Sequence, residues 1–152
     1  MKKVLFTSMM VFAIAFSASS QTAKGSIALG ASYSGHFYSG ATLWNMSPSL
    51  SYFVKDNMAI GAGAEFVGKT GNSFTNISLF GKSYFGSSDK GKLYAKAGLG
   101  LCESEISYGA GFGYNAALGK ALSVDLGIRY DKFGLLDGVI GAGVGLQFNL
   151  SK

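Results

Sequence analysis

The sequence predicts an all-β protein, an eight-stranded antiparallel up-and-down transmembrane β-barrel, and three observations support this. Glycine is abundant, with 23 in 152 residues, while charged residues make up only 14% against roughly 25% in ordinary soluble domains. Large apolar and small residues alternate along segment after segment, as on strands with two different faces. Each segment has about the length that a tilted strand needs to cross a bilayer.

Composition excludes several other classes. Aromatic residues make up 14% of the chain, which argues against a disordered protein. The glycines follow no period of three and there is one proline, which excludes collagen. The high contents of glycine and of aromatic residues also argue against a helical bundle.

Residues 1–20 are predicted to be a cleaved secretory signal peptide, which leaves residues 21–152 as one barrel domain. Lys2 and Lys3 precede a nearly continuous apolar run, and small residues lead up to Ser20. The run is too short to span a bilayer as a stable helix. Without the two lysines the formal net charge falls from +5 to +3, so the basic balance does not indicate nucleic-acid binding.

The first four strands are predicted at Ser26–Ser34, Ala41–Val54, Met58–Val67 and Phe74–Phe85. Each alternates large apolar residues with small or polar ones, so its two faces differ. Pro48 predicts a bulge or a strand end within the second segment, because proline cannot donate to a sheet ladder. The segment Gly35–Gly40, which contains the single histidine His36, is predicted as an extracellular loop.

The last four strands are predicted at Lys92–Cys102, Ile106–Leu118, Leu122–Tyr130 and Val139–Leu150. Cys102 is the only cysteine, so no intrachain disulfide is possible and a packing role in the strand is expected. The connections between strands are short, which argues against an elaborate adhesin or receptor.

The two faces of the strands predict which side meets lipid. The non-apolar faces are mostly Gly, Ser and Asn, which are too small and uncharged for a solvated surface but suit the narrow interior of an eight-stranded barrel. The large apolar faces then point to lipid. Aromatic residues near strand ends on this face are typical of interfacial girdles: Tyr33, Trp44, Tyr52, Phe85, Tyr108, Tyr114, Tyr130 and Phe148.

Two stretches resemble small Gram-negative outer-membrane barrels of the OmpA/OmpX/OmpW-like β-barrel type. Pro48–Gly61 looks like a strand–turn–strand unit of these proteins, and Leu79–Phe85 followed by Leu93–Gly100 looks like the next hairpin. The end of the last strand resembles the C-terminal insertion signal of such barrels, although four residues follow Phe148. The resemblance implies a monomer in the cell outer membrane, in contact with lipid and lipopolysaccharide and inserted by the outer-membrane assembly machinery.

The candidate functional site is a network of charges on the inward faces of the strands. Asp125 and Arg129 lie four apart on one strand, so they share a face and are expected to pair. Glu65 is expected to pair with Lys82 or Lys96. The network could plug the lumen with ion pairs or form a gate, and charges in low dielectric persist mainly when paired.

No catalytic or cofactor site is predicted. Ser34 and Ser39 lie close to His36, and Asp131 or Asp137 is expected in another loop on the same side. This spacing is not specific for a serine hydrolase, and one His and one Cys provide no metal set. We therefore predict a non-enzymatic protein without a cofactor.

Three functions are consistent with the sequence. The first is a barrel with a structural or envelope role whose lumen is filled by side chains. The second is a narrow pore or conduit for ions or a small hydrophobic molecule. The third is a secreted soluble barrel that binds an apolar ligand in its interior.

Overall fold

The computed structural model describes residues 22–38, 41–69, 72–86, 88, 90–134 and 138–150; the predicted signal peptide lies outside these residues. They form one closed antiparallel barrel in which each strand pairs with the next and β8 pairs with β1. The strands are β1 (Ile27–Tyr38), β2 (Ala41–Lys55), β3 (Met58–Lys69), β4 (Asn72–Phe85), β5 (Gly91–Cys102), β6 (Glu105–Ala117), β7 (Leu122–Lys132) and β8 (Val139–Leu150). The predicted fold class is confirmed.

Within the described ranges, no helix has the length and apolar character to cross a membrane.

Several strands extend further than the sequence predicts. β1 continues to Tyr38 and β7 to Lys132, so His36 and Asp131 lie on strands and the prediction that they belong to loops is wrong. The alternation of faces continues through both extensions, because ladder pairing satisfies the backbone as far as the neighbouring strand reaches. The end where β1 begins and β8 ends is called the terminal end below, and the opposite end the distal end.

Pro48 lies in the middle of β2, where it faces Ala31 of β1, so the predicted bulge or strand end at this position is wrong. The register between β2 and β3 is the same on both sides of the proline, with Met46 opposite Phe66 and Ser49 opposite Gly63. The irregularity in this ladder lies instead between Phe53 and Lys55, next to the turn.

Tight turns join several strands. At the distal end, Glu103 and Ser104 connect β5 to β6, and both have positive φ, 50° and 76°. Positive φ at both central residues is the geometry of a type I′ turn, whose twist matches that of the flanking strands. At the terminal end, Asn57 has a φ of 64° in the turn between β2 and β3.

The faces of the strands point as predicted. Large apolar side chains cover the outside of the barrel, with Leu79 and Ile106 each 69% exposed. The predicted aromatic residues Tyr33, Trp44, Tyr52, Phe85, Tyr108, Tyr114 and Tyr130 are all exposed on this outer wall. At the interior positions of the described strands, no outward side chain is charged.

Candidate functional site

The lumen contains all five charged residues singled out from the sequence. Glu65 lies on β3, Lys82 on β4, Lys96 on β5, and both Asp125 and Arg129 on β7. Each occupies an inward position of its strand, and all five line a central cavity. Closure of the sheet brings these side chains together from strands that are distant in sequence.

The Lys82 cluster lies toward the terminal end of the lumen. Lys82 Nζ donates to Asp125 Oδ2 at 2.5 Å and to Gln147 Oε1 at 3.3 Å. Asn115 donates to the second oxygen of Asp125 at 2.6 Å. Tyr84 donates to Gln147 Oε1 at 2.9 Å. These bonds connect β4, β6, β7 and β8 across the interior.

The Arg129 cluster lies toward the distal end. Arg129 Nη2 donates to Glu65 Oε1 and to Asp131 Oδ1, both at 2.7 Å. Asn76 donates to Glu65 Oε2 at 3.0 Å. A hydrogen bond of 2.9 Å joins His36 Nε2 to Asp131 Oδ2, and His36 is completely buried. The arginine therefore bridges carboxylates of β3 and β7, on opposite sides of an eight-stranded barrel.

The pairings predicted from the sequence are wrong. Asp125 and Arg129 lie four residues apart on one strand, about 13 Å at the rise of an extended chain. Glu65 lies opposite Asn76 in the β3–β4 ladder, and Lys82 is six residues, about 20 Å, further along β4. Lys82 and Lys96 lie directly opposite each other, and among the described residues neither lysine forms an ion pair with Glu65. The register therefore places the partners across the lumen.

Lys96 has no carboxylate partner among the described residues. Its ammonium group lies over the ring of Phe80, 4.0 Å from the centroid. A cation on an aromatic face is a favourable but partial substitute for an ion pair.

A cavity of about 130 Å³ occupies the middle of the lumen. Its wall includes the two charge clusters, Lys96 and several serines of β1, β2 and β4, and glycines provide much of the remaining lining. Glycine is needed here because the wall is tight: a Cβ on Gly98 would lie 2.8 Å from the Leu79 carbonyl oxygen.

Buried apolar side chains form a cluster beyond each charge cluster, and each apolar cluster is named here as a seal. The distal seal consists of Leu43, Val67, Phe74, Cys102, Phe133 and Val139. The terminal seal consists of Ala28, Phe53, Ala59, Tyr84 and Tyr94. Cys102 is a free, buried thiol, in agreement with the packing role predicted for it.

The chain preceding β1 adds a polar layer outside the terminal seal. Lys92 Nζ donates to Thr22 Oγ1 and to Asn57 Oδ1, both at 2.7 Å. Asn57 N also donates to the Thr22 carbonyl oxygen at 2.8 Å. These bonds attach the start of the described chain to the first turn and to β5.

The chemistry available in the lumen is that of ion pairing. His36 is joined to Asp131, but no serine hydroxyl bonds to it among the described residues, and its Nδ1 has no hydrogen-bond partner there. No group of three or more His, Cys, Asp or Glu side chains in these residues is arranged to hold a metal ion.

Sequence reasoning missed His36, Asp131, Asn76, Asn115 and Gln147 as members of the network. For His36 and Asp131, the two-residue alternation of the strand faces was the available signal. His36 lies two residues after the inward Ser34, and Asp131 lies two residues after the inward Arg129. Extending the alternation into the presumed loops would have found both.

Comparisons with known proteins identify the fold. No family model matches the chain, and no curated protein matches its sequence. Solved structures do match. The N-terminal β-barrel domain of Pseudomonas aeruginosa OprF superposes with a TM-score of 0.67 at 19% identity, covering 83% of this chain and 98% of that one.

Two further structures agree with this result. Neisserial surface protein A has a TM-score of 0.66 at 16% identity, covering 87% of this chain and 98% of that one. The Yersinia pestis outer membrane protein Ail has a TM-score of 0.54 at 14% identity, covering 82% and 100%. At these identities the likeness concerns the fold. The chain therefore has the fold of small outer-membrane β-barrels, as its resemblance to the OmpA/OmpX-like type implies.

Proposed function

We propose that this chain is a small integral protein of the Gram-negative outer membrane, with a structural or envelope role and a lumen closed by side chains. The observation that carries the proposal is the inside-out distribution of polarity. Large apolar side chains cover the outside, whereas ion pairs and buried amides lie within. A bilayer core solvates such a wall, and a closed barrel leaves no backbone edge unpaired in it.

The apolar clusters and ion pairs inside the barrel favour the structural role over transport. A passing solute would have to displace the two apolar seals and both charge clusters. Opening the Arg129 cluster would leave buried charges without partners, which is costly in a low dielectric. A folded barrel of this kind is expected to keep its interior closed.

Localisation and conductance test the proposal separately. Membrane fractionation with a heat-modifiability gel should find a folded, faster-migrating form in the outer-membrane fraction. Recovery of the protein in the soluble periplasm would contradict the membrane assignment. In planar bilayers the wild-type barrel should show no steady conductance.

A narrow conduit for ions or a small hydrophobic molecule is the second candidate, and the central cavity favours it. The two candidates differ in how the barrel responds to loss of charge. If the clusters form a plug, the substitution Arg129→Gln should raise conductance from a baseline near zero. Steady wild-type conductance that falls on this substitution would support the conduit.

The remaining assignments follow from a membrane-spanning barrel. We expect contacts with outer-membrane lipid and lipopolysaccharide, insertion by the assembly machinery, a monomeric state and no enzymatic activity. The polar interior does not favour the soluble barrel with an apolar ligand, since such a ligand would desolvate buried charges.

A further inference from the structure

The charges of the barrel are distributed unevenly between its interior and its two ends. In the lumen they balance, with the cations Lys82, Lys96 and Arg129 against the carboxylates Glu65, Asp125 and Asp131. The lumen therefore contributes nothing to the net charge of +3 that remains when Lys2 and Lys3 are subtracted from the +5 of the chain. That net charge belongs to the ends of the barrel.

The excess positive charge lies at the terminal end. The lysines described there are Lys24, Lys55, Lys90, Lys92 and Lys120, and the one described carboxylate is Asp56. The sequence adds one residue of each sign at this end, Asp89 in the β4–β5 connection and Lys152 after β8. At the distal end the signs nearly cancel, with Lys69 and Lys132 against Glu103, Glu105 and, in the sequence, Asp137.

Most of the terminal lysines are free to meet a partner outside the protein. Lys24, Lys55, Lys90 and Lys120 are exposed, and none of them forms an ion pair within the described ranges. In a barrel that spans a bilayer, this end lies at a membrane surface. Each lysine near such a surface raises the local concentration of anionic headgroups by about fivefold.

A groove in the outer wall lies next to this basic end. Its floor consists of small outward side chains on β4, β5 and β6: Gly81, Ser83, Ala95, Ala97 and Ala110. Large apolar side chains border it, with Val54, Met58 and Ile60 on one side and Phe112 on the other. Toward the distal end the floor stops at the opposed pair Leu79 and Leu99, which are both exposed on the wall.

Lys55 lies where the groove approaches the terminal end. The β3–β4 ladder ends with Met58 opposite Ser83, whereas β4 continues to Phe85. Lys55 pairs with Met58 in the β2–β3 ladder and directly follows Val54, and both of these neighbours line the groove. An extended apolar chain that lies on the floor would therefore end beside an exposed cation.

We propose that this groove binds one anionic phospholipid, with an acyl chain on the small floor and the headgroup phosphate beside the Lys55 ammonium group. The positive terminal end favours an anionic over a zwitterionic headgroup, because charge-assisted hydrogen bonds to phosphate are strong. A second copy of the barrel fits the groove less well, since two basic ends would then repel each other. The inference rests on the proposed membrane location and adds a lipid of defined charge at one place on the wall.

Tryptophan quenching by brominated lipid tests the site. The variant Trp44→Phe/Phe112→Trp has its single tryptophan at the border of the groove, whereas wild-type Trp44 lies on the wall toward the distal end. Each protein is reconstituted in equimolar phosphatidylglycerol and phosphatidylcholine, with bromine on the chains of one lipid or the other. Phosphatidylglycerol should be enriched about fivefold beside residue 112 and not enriched beside Trp44.

Two lysine variants separate the groove from the general charge of this end. In the position-112 reporter, Lys55→Gln should reduce the enrichment to the level measured at Trp44. Lys120→Gln removes an exposed lysine from another turn at the same end and should keep most of the enrichment. Equal losses in the two variants would overturn the proposal, because the enrichment would then come from the charge of the whole end.

The reference tryptophan keeps the failure of the site distinct from the failure of the proposed function. Quenching of Trp44 by both lipids shows that the barrel is embedded in the bilayer. Equal quenching of position 112 by the two lipids would then refute the lipid site alone. Protection of position 112 from both lipids would show that protein covers the groove, which also refutes it. Absence of quenching at both positions would contradict the membrane assignment and the lipid site together.

Native mass spectrometry gives a second measurement that needs no reporter. Wild type released from detergent with an equimolar mixture of the two lipids should retain one phosphatidylglycerol molecule in preference to phosphatidylcholine. Lys120→Gln should retain it and Lys55→Gln should lose it. Equal retention of the two lipids by the wild type would refute the site, and this result decides the question if the tryptophan variant does not fold.

Discussion

The ion pair between Lys82 and Asp125 offers the most direct test of how the lumen is stabilised. Lys82 is almost fully buried and its partner is 21% exposed at the side chain. Removing one member of a buried pair costs roughly 3–5 kcal/mol, because the other charge is left unpaired. The partial exposure of Asp125 places the expected loss for Lys82→Met near the lower end, about 3 kcal/mol.

Asp125→Asn should cost more than Lys82→Met. It leaves Lys82 unpaired directly opposite Lys96, so repulsion between like charges adds to the loss of the ion pair. We expect a loss of about 4 kcal/mol. In the double variant neither unpaired charge is created, so its loss should be smaller than the sum of the single losses by about 2 kcal/mol.

Denaturant unfolding in detergent micelles measures this cycle. Trp44 is the only tryptophan and lies on the outer wall, so its fluorescence should change when unfolding moves it from detergent to water. The exposed-lysine variant Lys120→Gln is the control and should stay within about 0.5 kcal/mol of wild type. If the single losses add within about 0.5 kcal/mol in the double variant, the pair is not coupled and the reasoning fails.

Three further predictions concern the wall, the distal seal and a turn. Gly113→Val should abolish the heat-modifiable folded form on gels, because even a Cβ at this position collides with the Leu126 carbonyl oxygen; a variant that folds normally would contradict the tight wall. Cys102 should react with a bulky maleimide only after unfolding, since it lies in the distal seal, and rapid labelling of the folded barrel would show that the seal opens. Ser104→Gly should stabilise the barrel by roughly 1 kcal/mol in denaturant titrations, because it removes the strain of a side chain at positive φ; an unchanged or lower stability would count against the type I′ turn.

The sequence could predict the barrel because each strand carries its own evidence. The alternation of faces is local, so it identified all eight strands and the inward direction of the five charges. The pattern did not locate the strand ends: His36 follows a glycine and Asp131 precedes a lysine, so both polar residues resembled loop residues. Their place on strands follows from how far the neighbouring strands extend.

The ion pairs could not be predicted from the same pattern. The two-residue period predicts which face of the strand a side chain occupies, but it does not predict which residue that side chain contacts. Lys82 reaches Asp125 because barrel closure brings the inward faces of β4 and β7, three strands apart, together across the lumen, and Arg129 on β7 reaches Glu65 on the opposite strand β3 in the same way. Sequence proximity suggested Asp125 with Arg129, yet two positions on one extended strand are held apart by the rise of the chain.

By itself the sequence determined an inside-out polarity, because glycine, serine and the few charges share one face of every strand while large apolar residues share the other. This follows from a repeat of two residues, which is a property of the chain alone. The tertiary structure decided which charges pair with each other, and among the described residues it left Lys96 without an ion-pair partner. Those facts depend on register and on closure between β1 and β8, which set distances between residues far apart in the chain.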